Sequence, residues 1–157
     1  LQDGQRLLAF NDLFIGAASH VSARYKISYH NRNEEHSSSG IIVSTQAGFT
    51  GWLSSVFNMS FGIATLYNEH LNLSKPTIAA HQLMFAVREP FKSLKTQAGI
   101  TAGIINKEEN LVIDSLMPSG GVIFSDGIEA DFLQFNSGMK VEVGLAKEFA
   151  ILVQQDK

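Results

Sequence analysis

Most apolar residues in the chain follow the two-residue period of strands; one stretch follows the 3.6-residue period of a helix. Over residues 22–29, Ala23, Tyr25, Ile27 and Tyr29 alternate with polar neighbours, which predicts a half-exposed antiparallel strand. The polar residues 30–36 then read as a hairpin loop, and Ser37, Ser38, Ser39 and Gly40 as its continuation. Ile41, Ile42 and Val43 form a β-branched run, the mark of a buried strand. Beyond a turn bearing Gly48 and Gly51, the spacing of Trp52, Leu53, Val56 and Phe57 is one face of a helix. The pattern stays helical or irregular through Phe61, Ile63, Leu66, Tyr67 and Leu71, and Asn72 and Pro76 close it.

After position 77 short apolar runs and turn signals alternate. Leu83 to Val87 predicts a strand stopped by Arg88-Glu89-Pro90, and residues 98–105 a second. A polar turn at 106–110 leads to a strand at 111–117, and a turn at 118–121 to Val122-Ile123-Phe124. Ser125-Asp126-Gly127 is an Asp-Gly hairpin turn with its return strand at 128–135. A turn at 136–138 precedes the alternating Val141, Val143 and Leu145, and residues 149–153 read as the last strand. Together these runs predict a mainly β chain, an antiparallel sandwich or related architecture, with one helical segment after the turn at 45–51.

Two places break the pattern where chemistry could sit. Asn11-Asp12 lies inside the otherwise apolar stretch 7–15, strand-like on both sides of the pair, where adjacent polar residues are costly unless hydrogen-bonded or facing a site; a bulge or tight turn explains them equally well. The turn from Ser44 to Trp52 puts hydroxyls and free amides at a helix N-terminus, a setting that suits anions and polar ligand groups. It also serves as an ordinary strand-to-helix connection.

Composition narrows the classes. With 157 residues and 45% hydrophobic content, one domain with one sizeable core is expected. A net charge of −3 without blocks of like charge points to no nucleic acid or anionic membrane partner. There is no cysteine, hence no disulfide or thiol chemistry, and the five histidines form no His-x-x-x-His pair, so no metal site is expected. No apolar run is long enough to span a membrane and no targeting segment is visible, so the cytoplasm is the expected compartment. The polar start after Leu1 reads as a piece of a longer protein or a chain whose initiator Met was removed.

Taken together, Leu8-Ala9-Phe10-Asn11-Asp12, Ser38-Ser39-Gly40, Ser44-Thr45-x-x-Gly48-x-Thr50-Gly51-Trp52 and Asp126-Gly127 resemble the C-terminal domain of the NAD kinase family. The closer resemblance is to mitochondrial-type NAD kinases and their bacterial relatives. Those read Asn-Glu-Val-Phe-Ile-Gly where this chain has Asn11-Asp12-Leu13-Phe14-Ile15-Gly16, and they carry an Arg-Glu-Pro like Arg88-Glu89-Pro90. The resemblance implies an enzyme that transfers the γ-phosphoryl group of ATP, with Mg²⁺, to the adenosine-ribose 2′-hydroxyl of NAD, making NADP. In that family an N-terminal domain carries a Gly-Gly-Asp-Gly motif that handles the phosphates, and no such motif occurs in this chain. The chain is thus expected to be the NAD-binding β domain, inactive as a kinase by itself, partnered by its own N-terminal kinase domain, and assembled as a homo-oligomer.

Carried over by position, the resemblance implies NAD contacts at Asn11, Asp12, Ser39, Thr45, Ala47, Phe49, Thr50, Gly51, Trp52, Ser55 and Asp126, and no catalytic residue in this chain. Asp12 stands where the family has Glu, one methylene shorter. Gln46, Ala47, Phe49 and Trp52 depart from the commoner Thr-Pro-Thr-Gly-Ser-Thr-Ala-Tyr, which removes two hydroxyls and a phenol but leaves an indole face and N–H. Two other readings fit the same residues. One is a lipid kinase of the diacylglycerol or sphingosine type, which would want a wide apolar cleft. The other is a non-catalytic nucleotide-binding or oligomerisation module.

Overall fold

A computed structural model describes residues 1–68, 73–148 and 150. Ten strands form two sheets: β1 Asp12–Ala17, β2 Ala23–Tyr29, β3 Arg32–Ser38, β4 Ile41–Ser44, β5 Leu83–Val87, β6 Ala102–Ile105, β7 Leu111–Ser115, β8 Gly121–Ser125, β9 Leu133–Gln134 and β10 Lys140–Val143. The first sheet runs β6-β5-β4-β1-β8-β9 and the second β10-β7-β2-β3. Every strand pairing among the described residues is antiparallel. A 3-10 turn, Ala47–Thr50, leads into the helix α1, Trp52–Thr65. The fold is thus the antiparallel β architecture with one helix after the turn that the sequence predicts. Among the described residues, no helix is long and apolar enough to cross a membrane.

The main core lies between the sheets. Ile15, Ile41, Val43, Phe85 and Ile123 of the first sheet meet Tyr25, Ile27, Leu111 and Ile113 of the second. The first sheet is apolar on its other face too. There Met84 and Ala86 pack under Leu53, Val56 and Phe57 of α1, and Phe14, Val122 and Phe124 pack under Trp52. Burial on both faces is why Ile41-Ile42-Val43 is a continuous apolar run while β2 alternates.

Several boundaries differ from the sequence pattern. Residues 30–36, expected as a polar loop, contain β3, and the hairpin turn shrinks to His30 and Asn31. Polarity hid this strand because its inward side chains, His36 and Ser38, are polar yet buried. Its outer edge is closed by the segment after Pro90: Phe91 and Gln97 amides donate to Ser37 and Glu35 carbonyls, and Gly99 and Ile100 amides donate to the Glu34 carboxylate. Residues 7–11 carry no strand, since β1 begins only at Asp12. The expected strand at 98–105 is reduced to β6, because its first half forms that cover over β3. Of the return strand at 128–135 only β9 pairs with β8. The helix ends at Thr65, and Leu71, Asn72 and most of the expected strand at 149–153 lie outside the described residues.

Candidate functional site

Three strand ends meet at one end of the first sheet. Antiparallel register sets Asp12, which opens β1, opposite Ser44, which closes β4, while Leu13 faces Ser125 at the close of β8. Alternation puts Asp12 on the face of Phe14, the outer face that carries α1, whereas Leu13 and Ile15 point to the main core.

The backbone around Asn11 is held from two sides. From β4, the Asn11 carbonyl accepts hydrogen bonds from the Thr45 amide at 2.9 Å, the Thr45 hydroxyl at 3.2 Å and the Ser44 hydroxyl at 3.4 Å. The Thr45 hydroxyl also reaches the Phe10 carbonyl at 2.7 Å and accepts the Gly48 amide at 3.3 Å. Gly48 is pressed so close that a Cβ built on it would lie 2.2 Å from the Asn11 carbonyl oxygen. From β8, the Asp126 carboxylate accepts three consecutive amides: Phe10 at 2.9 Å, Asn11 at 2.6 Å and Asp12 at 3.2 Å. Asp126 and Gly127 sit at φ 52° and 74°, both left-handed as an Asp-Gly turn of this kind requires. The Asp126 amide returns a bond to the Asp12 carbonyl at 2.9 Å.

With the backbone so engaged, the Asn11 side-chain amide and the Asp12 carboxylate have no protein hydrogen-bond or ion-pair partner among the described residues. Asp12 is half-buried. Burial first, and the Asp126 charge second, raise its carboxyl above the ordinary range. An Asn amide beside a carboxylate, one donating and both accepting, suits paired hydroxyl groups.

Trp52 lies on the same outer face as Asp12, over Phe14. Its ring stacks on Phe14, with centroids 5.5 Å apart and planes 13° apart. Phe14 in turn lies over Gly16 and Gly40, where any Cβ would strike its ring within 2.6 Å. The Arg88 guanidinium lies over Trp52, 5.2 Å from the ring centre. The sequence marked Arg88-Glu89-Pro90 as a strand stop and as part of the family resemblance, with no ligand contact assigned to it. In the structure Glu89 holds φ 43°, and Arg88 is fixed by its amide to the Gly40 carbonyl and by its own carbonyl to the Ser39 amide.

The implied contact residues therefore fall into groups. Asn11, Asp12, Thr45 and Asp126 converge, and Ala47 lies beside them, since a cavity of about 660 Å³ is lined by Thr45, Ala47 and Asp126 together with Phe10, Leu13 and Leu83. Trp52 stands above on α1, capped by Gly51. Thr50 is exposed, and Phe49 is turned into the α1 cluster against Phe57. Ser55 is exposed on α1. Ser39 lies at the other end of β4, six residues from Thr45, or about 20 Å of extended chain; only Arg88 links it to Trp52. No group of three or more His, Asp or Glu among the described residues is arranged to hold a metal ion, and both Asp126 oxygens are already taken by amides. The residues here thus do not fit a Mg²⁺ site.

No protein-family model matches the chain, and no curated protein matches its sequence. Solved structures do match its fold. An NAD kinase from Archaeoglobus fulgidus, determined with ATP, superposes with a TM-score of 0.60 at 14% identity, over 90% of this chain and 47% of that one. Yeast NADH kinase, determined with NADH, superposes with a TM-score of 0.55 at 16% identity, over 85% of this chain and 33% of that one. This chain therefore spans less than half of either kinase, and what it shares with them is the fold, that of the C-terminal β domain expected from the sequence.

Proposed function

We propose that this chain is the NAD-binding β domain of an NAD kinase-like enzyme that, as a whole, phosphorylates NAD at the adenosine-ribose 2′-hydroxyl with ATP to give NADP. The observation that carries the reading is at Asn11 and Asp12. Their backbone groups are consumed by Thr45 and Asp126, while their side chains are left without protein partners, and Asp12 opens on the sheet face that carries the Trp52 ring. Free, fixed polar groups next to a ring are what a ribose and its base require. The Asp12 carboxylate accepts from ribose hydroxyls, the Asn11 amide completes the pair, and a base on the Trp52 side packs against the ring or the Arg88 guanidinium over it. Phosphate handling, ATP and Mg²⁺ belong to the N-terminal kinase domain that the resemblance implies. The fragment alone then binds NAD without making NADP, because phosphoryl transfer needs groups on both sides of the phosphates.

Trp52 is the only tryptophan, so its fluorescence reports on this place. NAD should quench it saturably. Asp12→Ala should weaken binding by about 1.5–3 kcal/mol, the scale of a hydrogen bond to a charged group, with little change in the melting temperature. Unaltered affinity in Asp12→Ala would remove the assignment, and NADP formation by the purified chain would contradict the division of labour. The apolar cavity lined by Leu8, Phe10, Leu13, Val43 and Leu83 favours the lipid-kinase alternative. A short-chain diacylglycerol in the same titration, binding where NAD does not, would select it.

A further inference from the structure

We propose that Asp126 is a positioning residue rather than a ligand contact: its carboxylate seats the Phe10–Asp12 backbone so that the Asn11 and Asp12 side chains are presented together. This rests on the reading of Asn11 and Asp12 as ligand-facing, and it gives Asp126 a role different from the direct NAD contact that the resemblance implies.

Three consecutive amides converge on one carboxylate, two on one oxygen and one on the other. Successive amides aimed at one point form an anion-holding concavity, and here the anion is the side chain of a turn residue 114 positions beyond Asp12. With both oxygens occupied, Asp126 has little capacity left for a ligand, although the residue is exposed. The bond from the Asp126 amide to the Asp12 carbonyl closes a two-way link between β1 and β8. Residues 10 and 11 precede β1, and none of residues 10–12 has a ladder partner on the β8 side, so the carboxylate stands in for a strand.

The same carboxylate acts on Asp12 through space. The elements beside Asp12 are the β4 end with its turn, which bring Ser44, Thr45, Gln46 and Ala47, and the β8 end, which brings Ser125 and Asp126. Of these only Asp126 is titratable, and no ion pair among the described residues involves either carboxylate. The Asp126 charge therefore adds to burial in holding the proton on Asp12. Because the ionised form of Asp12 is the better acceptor, ligand affinity is full above its raised titration point and falls as pH drops through it.

The experiment is a carbon-detected NMR titration of the side-chain carboxyls, with amide proton shifts, on the whole chain and on Asp126→Asn. In the unsubstituted chain Asp12 should titrate above the ordinary carboxylate range, and the Phe10, Asn11 and Asp12 amide protons should lie downfield, as protons held by a carboxylate do. In Asp126→Asn the Asp12 midpoint should fall toward the ordinary range. NAD affinity, read from Trp52 fluorescence, should drop about tenfold, with its pH dependence displaced to lower pH. An unmoved Asp12 midpoint with a lowered melting temperature would reduce Asp126 to a turn residue and overturn the proposal. If Asp126→Asn does not fold, the unsubstituted chain decides: Phe10, Asn11 and Asp12 amide protons without that downfield shift would overturn it. Downfield amide protons and a shifted Asp12 midpoint in a chain that binds no NAD would leave the positioning role standing and sink the nucleotide reading instead.

Discussion

Gly48 shows how one missing side chain sets the site. The turn after β4 can lie on the Asn11 carbonyl only because there is no Cβ, which would overlap that oxygen and the carbon beside it. Backbone cannot retreat as a flexible side chain can, so Gly48→Ala must push the turn off Phe10–Asp12 and break the Thr45 bonds. A loss of roughly 1–3 kcal/mol is expected, seen as a lower melting temperature together with weaker NAD quenching. A melt unchanged from the parent chain would show that the contact is not needed. Asn11-Asp12 was legible in the sequence as a costly polar pair, and Gly48 as one of two glycines bracketing a turn. That the turn closes on Asn11, and that Asp126 holds it from the far side, was not legible, because Thr45 and Asp126, 34 and 115 positions away, meet it only through strand pairing.

At the scale of elements, β3 depends on one acidic side chain. Glu34, nearly buried, accepts hydrogen bonds from His36 at 3.0 Å, from the Gly99 and Ile100 amides at 2.8 and 2.9 Å, and from Arg32 at 2.9 Å. Burial by itself would raise its titration point, but these donors outweigh it and hold Glu34 at about 2, well below the ordinary carboxylate range. A depressed carboxylate stabilises the fold fully above its unfolded value and stops doing so as pH falls through the folded one. The contribution, roughly 3 kcal/mol at neutral pH, is therefore lost between about 4.5 and about 2. Hydrogen exchange should show the Gly99 and Ile100 amides losing protection in that window ahead of β2 and β7. Glu34→Gln should abolish the pH dependence of that protection. Protection that stays uniform down to pH 2 would refute the link. The strand itself went unread in the sequence because its buried side chains are polar and its edge is covered by a segment more than fifty residues away.

At the scale of the molecule, the apolar residues left outside are uneven. Met59, Ile63, Leu66 and Tyr67 stay exposed on or just after α1, whose residues carry no charge, while the rest of α1 covers the first sheet. Light scattering at micromolar concentration should accordingly show more than one copy per particle, the homo-oligomer expected from the sequence; a monomer would contradict it. By itself the sequence determined the local periods: strands where apolar residues alternate or run together, a helix where they recur at 3.6, and turns at Asp126-Gly127 and Gly48. These follow from side-chain direction and backbone freedom within a few residues. Only the tertiary structure decided which turns share an end of the sheet, that Ser39 is a strand's length from Thr45, that Arg88 covers Trp52, and that Asp126 serves the backbone of Asn11. Each depends on strand order and register, and those are settled by burying both faces of the first sheet at once, a condition no short window of sequence contains.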